Sequence, residues 1–358
     1  MTTKKALAVR LLLVFVVLTA LTGLCFAQDN NDSQFNRRGN ILISDQFNNR
    51  VIEINRKHQI VWTFGNGSSV PGPNAVVGVN DAQRVGPLTL IAGTGAPGGT
   101  EPACPPPNGC PDNRVFLVNR LGHIVWQYGS AGVSGSGPNQ LNTPVQATFL
   151  PNWHILITDQ VNERVIEVNL HHQIVWQYGQ TGTSGASFDQ LNNPNSAELL
   201  ENGHILIADE NNNRVIEVDR KMNIVWSYGD PNDTTILNGA AFASRLPNGD
   251  TLITDSLNNR IVEVNMNKQV VWTYDTTARA GSVSQPNPTR AVRLRNGHTL
   301  ISDQFNMQVI EVDHAGNIVF TQGQIGAAGT GFDQLNAPYD AKAIGDYTGL
   351  TPPFRDED

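Results

Sequence analysis

Residues 201–229 read ENGHILIADENNNRVIEVDRKMNIVWSYG, and the same pattern returns along the whole chain. Residues 151–179 read PNWHILITDQVNERVIEVNLHHQIVWQYG, and 247–275 read PNGDTLITDSLNNRIVEVNMNKQVVWTYD. Residues 295–323 and 39–65 keep the same order, and a sixth copy is split. Its first part is Pro87-Leu88-Thr89-Leu90-Ile91. The remainder, NRVFLVNRLGHIVWQYG, runs from Asn113 to Gly129 after an inserted loop. The anchor aromatics Trp62, Trp126, Trp176, Trp226, Trp272 and Phe320 are spaced by 64, 50, 50, 46 and 48 residues, so the insertion accounts for the long first interval. Self-similarity at such a period marks a repeat architecture.

Each copy holds three β segments. HILIAD is an apolar run bounded by an Asn-Gly turn and an Asp-Asn cluster, and RVIEV and IVWSY follow, separated by a polar turn. A fourth segment leads each copy, such as Asn195 to Leu200 or Thr289 to Leu294. Four antiparallel strands per copy and six copies predict an all-β, six-bladed propeller. The first copy lacks its leading strand, because Asn36-Arg37-Arg38 runs straight into Gly39. An orphan leading strand, Asn336 to Ile344, stands at the other end of the repeat. Pairing that strand into blade one closes the ring and removes two exposed sheet edges.

Composition agrees with this reading. Of 358 residues, 39% are hydrophobic and only 16% charged, while Gly (33), Pro (20) and nearly forty Asn supply turns. A helical bundle is excluded, as is a polytopic membrane protein, since one apolar stretch alone suits a bilayer. In that stretch Lys4, Lys5 and Arg10 lead into Leu11 to Ala20, and Leu24-Cys25-Phe26-Ala27 closes the run. This is the pattern of a secretory signal peptide, with cleavage after Ala27 and a mature domain over 28–358. A retained anchor is the rival, with 17 residues from Leu11 to Ala27 to span with. Loss of Lys4, Lys5 and Arg10 changes the formal charge from −8 to −11. Export makes Cys104 and Cys110 a disulfide closing the Pro/Gly loop inserted in blade two. Two thiols without a neighbouring His or second Cys pair do not complete a metal site, and no metal is expected.

The run Gly135 to Pro144, with Leu156-Ile157-Thr158-Asp159, Asn162-Glu163-Arg164-Val165 and Tyr178-Gly179, resembles NHL-repeat propellers over nearly the whole mature chain. The Ile-Val-Trp-x-Tyr and Asn-Gly-His-x-Leu-Ile segments also look like bacterial arylsulfotransferase propellers. The first resemblance implies a propeller scaffold. Its members include binding proteins, a peptide-amidating lyase and RNA-binding regulators, so fold does not settle activity.

Charges that recur in most blades serve what every blade needs. Asp45, Asp159, Asp209, Asp255 and Asp303 share one position, and Arg50, Arg114, Arg164, Arg214 and Arg260 another. Turn amides and internal ion pairs are their expected partners. His154, His204 and His298 fall in three separate blades and form no zinc triad. Gly93-Thr94-Gly95-Ala96-Pro97-Gly98 fits GxGxxG, yet a proline-rich loop follows it instead of a helix, so no nucleotide cofactor is expected.

The informative positions are those where equivalent residues of the channel-lining first strands differ. Just before the recurring Ala of that strand stand Asp340, Asp81, Gln146, Ser196, Phe242 and Arg290, from blade one to blade six. One step earlier stand Tyr339, Asn80, Val145, Asn195, Ala241 and Thr289. Strand alternation turns only one row squarely to the channel. The expected site is therefore at the channel mouth, built by Arg290, Asp340 and Asp81 with Asn80, Asn195, Gln146 and Tyr339 around it. Arginine offers a planar fork for an anionic group. The rival reading is a buried ion pair that only holds the closing strands. Together these features point to a secreted or periplasmic, monomeric binding scaffold with a small anionic ligand or a protein partner, free of the membrane once the signal is removed. An arylsulfotransferase-like or lyase-like enzyme acting on a small molecule is the alternative, and it requires a positioned base or nucleophile. Net negative charge opposes nucleic-acid binding.

Overall fold

A computed structural model of the chain describes residues 34–346, so the expected signal segment 1–27 lies outside the described residues. From Asn36 onward the chain forms six four-stranded antiparallel sheets in sequence order, the blades of a propeller. Blade four shows the plan: an inner strand Pro194–Leu199, a second Ile205–Asp209, a third Arg214–Val218 and an outer strand Ile224–Gly229. Blade one takes its inner strand, Pro338–Ala343, from the other end of the repeat and pairs it with Ile41–Asp45. The ring therefore closes as the orphan strand predicts.

Each second strand is largely apolar and buried, since neighbouring blades cover both of its faces; Ile41–Asp45 is buried throughout. The cores lie between blades. Leu90, Val115 and Tyr128 of blade two pack with Ile155, Ile157 and Ile166 of blade three. At the closing seam Ile41, Ile43, Ile52 and Ala341 pack with Leu300 and Val309 of blade six. Blade two differs by extending its central hairpin into two nine-residue strands, Leu88–Ala96 and Cys110–Val118. The Cys104–Cys110 disulfide closes the loop at its tip. The GxGxxG match falls largely within the first of these strands.

A buried aspartate fastens the end of the second strand in every blade but blade two, where the third strand supplies it. Asp45, Asp159, Asp209 and Asp255 each accept, on one carboxylate oxygen, the N–H of Asn336, Asn142, Asn192 or Asn238, two residues ahead of the inner strand. The other oxygen accepts an Asn side chain three residues on and an arginine Nε at 2.7–2.8 Å. Arg214 then donates to the Ala186 and Gln190 carbonyls of the loop leading into its blade. Asp112 and Arg114 do the same work in blade two, where Asp112 accepts the Val77 N–H. In blade six Gln308 stands in the arginine position, and Arg279 from the lead-in loop reaches Asp303 instead.

The residue before that arginine joins one blade to the next. Asn49, Asn113, Asn213 and Asn259 adopt left-handed backbone, which Asn tolerates. Their side-chain oxygens accept the N–H of Gly78, Thr143, Gly239 and Asn287 from the following blade. Glu163 accepts the Asn193 N–H in the same way, and the Met307 sulfur faces the Ala337 N–H at the closing seam. The outer Glu167, Glu217 and Glu311 carry His154, His204 and His298 at 2.6–2.8 Å. These histidines serve turns, one per blade.

Burial raises the pKa of Asp45, Asp159, Asp209 and Asp255 despite their arginines, and it pushes Asp303 up to about 6. For Glu167, Glu217 and Glu311 burial works the same way, but the His and Arg contacts outweigh it and hold these groups low. A raised group gives stability that is full below its unfolded pKa and lost as pH rises through the folded value. The lowered glutamates act oppositely, losing stability as pH falls through their folded values. Thermal stability is therefore expected to fall as pH rises from about 4 to about 6, the interval between the ordinary aspartate pKa of 3.8 and the folded value of Asp303. Replacing Asp303 by Asn should flatten that fall, by roughly 3 kcal/mol at most. Melting curves between pH 4 and 8 check this, and an unchanged slope in the variant would contradict it.

Deleting residues 336–358 removes the inner strand of blade one and opens two sheet edges. The expected result is a loss of several kcal/mol and self-association, read by unfolding and gel filtration. A monomer that melts at the full-length temperature would refute closure by this strand.

Candidate functional site

The inner strands place every expected site residue around one axis. Five of them contain a register shift at the residue one step before the variable position, which leaves Tyr339, Asn80, Val145, Asn195 and Ala241 unpaired. Such a bulge re-aims side chains, so the strict alternation expected from the sequence does not hold here. Both rows contribute to the centre of the ring.

The lower row also stitches blades together. Asp340 accepts the Ala82 N–H, Asp81 that of Ala147, Gln146 that of Ala197, and Ser196 that of Ala243. Each bond runs from one inner strand to the next. Phe242 has no acceptor to offer, and the relay stops there. Asp340, Asp81 and Gln146 thus have a structural duty alongside any binding duty.

Arg290, Asp340 and Asp81 do come together. The Arg290 guanidinium lies 3.6 Å from each carboxylate, and all three are at most 1% exposed. They form a closed waist rather than an open rim. Arg290 of blade six crosses the axis and donates to the Val145 carbonyl of blade three at 3.4 Å. Its guanidinium carbon sits 4.7 Å from the Phe242 ring and 5.9 Å from that of Tyr339. Tyr339 of blade one likewise crosses, accepting a 2.8 Å hydrogen bond from Asn195 of blade four. The Arg290 Nε and Nη1 groups, the Asp340 Oδ1 atom and the Asn195 Oδ1 atom are buried without a hydrogen-bond partner.

Two residues that the sequence reading passed over change the electrostatics. Lys342 donates to Asp81 at 2.7 Å, to the Ala82 carbonyl at 3.0 Å and to Asp340. Burial alone would lower the Lys342 pKa, but Asp340 and Asp81 outweigh it and raise it. Burial raises the Asp340 pKa, against the pull of Lys342. Two cations therefore face two carboxylates. The other residue is Glu210, half-buried on the short turn Glu210–Asn212. One of its oxygens accepts from Asn195 at 2.9 Å and from Gln160 at 3.3 Å. Burial raises its pKa against the opposing influence of Asn195 and Arg290. Burial raises the Tyr339 phenol too, with Glu210 adding to the effect. Nearby, Gln304 donates to Gln46 and Gln46 to Asn80, each at 2.8 Å. Glu210 is thus bonded by two amides, and a second set of amides links blades six, one and two.

A cleft of about 360 Å³ lies elsewhere, at the seam of blades one and six, lined by Ile52, His58, Ile60, Phe332 and Asp333 among others. It shares no residue with the channel. Among the described residues no helix is long and apolar enough to cross a membrane, and no cluster has the make-up of a metal site.

Solved structures share the fold. A protein of unknown function from Bacteroides caccae aligns with a TM-score of 0.54 and 15% identity, over 80% of this chain and 93% of that one. A streptogramin B lyase aligns with a TM-score of 0.54 and 13% identity, over 87% of each chain. Identities this low establish the six-bladed propeller and nothing finer. No family model matches the chain, and no curated protein matches it in sequence. The NHL-repeat and arylsulfotransferase likenesses rest on the quoted sequence segments alone.

Proposed function

We propose that this chain is an exported binding propeller that holds a small polar ligand in its channel, with Arg290 anchoring an anionic group. The observation that supports this reading is the buried Arg290 Nη1 group, which finds no acceptor, while Nε faces only the Asp340 Oδ1 atom at 3.6 Å. Buried donors are satisfied almost everywhere in folded proteins, so an unpaired guanidinium N–H at the ring axis calls for a partner from outside. Tyr339, Asn195 and Asn80 surround the approach from the mouth. Asp81 and Asp340 hold the guanidinium in place, and Lys342 offsets their charge. A protein partner would require a broad exposed face, whereas these groups converge on a narrow axis.

A lyase-like or arylsulfotransferase-like activity is the competing reading. It requires a base or nucleophile at the same place; His154, His204 and His298 are engaged with outer glutamates and no histidine stands on an inner strand, so that role would fall to Glu210 or Tyr339.

Titration with acetate, sulfate and phosphate tests the proposal. Arg290→Ala should weaken anion binding about ten- to a hundredfold, the usual cost of one charge-assisted contact. Arg214→Ala, which removes a repeated clamp arginine, should lower the melting temperature and leave binding intact. Failure of the wild-type protein to bind any of the three anions would overturn the reading. Equal destabilisation by both substitutions with affinity untouched would do the same.

A further inference from the structure

The repeat itself singles out Glu210. The first residue of the short turn after the second strand is Gln46 in blade one, Gln160 in blade three, Glu210 in blade four, Ser256 in blade five and Gln304 in blade six. Four of these are neutral. Of these five, blade four alone places a carboxylate there.

The charges show what this acid is not for. Asp81 and Asp340 are matched by Arg290 and Lys342. Glu210 is then the surplus negative charge of the cluster, close enough to Arg290 for the guanidinium to oppose the rise of its pKa. Only one Glu210 oxygen is engaged, by the Asn195 and Gln160 amides. Beside it the Asn195 side-chain oxygen is buried and unpartnered. Glu210 and Asn195 thus offer acceptors with nothing to accept. Arg290, whose guanidinium carbon lies 5.9 Å from the Tyr339 ring, offers an Nη1 donor with nothing to donate to. The Tyr339 hydroxyl, which accepts from Asn195, keeps its own proton free to donate.

Acceptors carrying net negative charge next to an orphaned cationic donor make a two-pole site. We propose that the channel ligand is a small zwitterion of the α-amino-acid class, with its carboxylate on Arg290 and its ammonium on Glu210 and the Asn195 oxygen. The assignment rests on the Arg290 reading given above and adds the second pole. An ammonium group has three donors and no acceptor, which suits two oxygens that lack donors. A simple anion such as acetate would satisfy Arg290 and leave Glu210 and Asn195 as they are. Burial already disfavours the ionised form of Glu210, and a cation beside it would reverse that.

Calorimetric titration of the mature chain with glycine, acetate and N-acetylglycine separates the two poles. The wild-type protein should bind glycine about tenfold or more tightly than acetate or N-acetylglycine, the effect of one added charge-assisted contact. Glu210→Gln installs the residue that blades one, three and six carry at this position, so folding should persist, as a melting curve will verify. In that variant glycine should fall to within about twofold of acetate. Asn195→Asp, which adds a second acid at the same pole, should keep the preference for glycine. Equal affinity for glycine and acetate in the wild-type protein overturns the zwitterion assignment and leaves the Arg290 reading standing. So does a glycine preference that survives in Glu210→Gln. Binding of none of the three probes overturns both.

Discussion

The structure depends on a carboxylate buried in every blade, at the end of the second strand in five of them and on the third strand, as Asp112, in blade two. Taking an aspartate out of water is costly, and the raised pKa values of Asp45, Asp159 and Asp209 record that cost. It is offset because in blades one, three, four and five each carboxylate collects a backbone N–H, an Asn amide and an arginine at once. Those three partners come from the lead-in loop, the short turn and the third strand. One group therefore fixes where the chain enters the blade, how it turns and where it continues. The same turn presents the left-handed residue that reaches the next blade, so the clamp sets blade-to-blade registry as well.

With the ring held from outside the channel, the inner strands are free to differ. They use that freedom unevenly. Asp340, Asp81, Gln146 and Ser196 still bond the next inner strand, so a polar residue there serves the fold even where it also faces the axis. Phe242 breaks the relay and offers its ring to Arg290. Tyr339 and Arg290 then cross to opposite blades and close the waist. Whatever binds does so against these two side chains, on the side where Glu210 and the glutamines lie.

The fold was legible in the sequence because the repeat states the same physical demands six times over. The apolar run before each Asp, the Asn-Gly turns and the orphan strand at Asn336 each report a local requirement that the ring satisfies. The cluster of Arg290, Asp340 and Asp81 was legible as well, since closing the ring makes blades six, one and two neighbours. What escaped notice had a physical cause in each instance. Strand alternation conceals a bulge, so two rows reach the axis where one was expected. Lys342 stands one residue beyond the recurring Ala341, in a row of unequal residues (Gln83, Thr148, Glu198, Ser244, Val292) that was open to comparison. Glu210 lies on a turn whose direction depends on the clamp beneath it. The burial of Arg290 follows from two side chains crossing the ring, a distance no sequence separation encodes.

The central claim is that the repeated aspartate is a structural clamp and not part of a charged binding face. Replacing Asp209 by Asn keeps the shape and removes the charge, leaving Arg214, 8% exposed, without its carboxylate. Equilibrium unfolding of this variant at neutral pH is the direct measurement. A loss of about 3–5 kcal/mol is expected, the usual consequence of stranding one member of a buried pair. An unfolding midpoint equal to that of the unaltered protein would contradict the account.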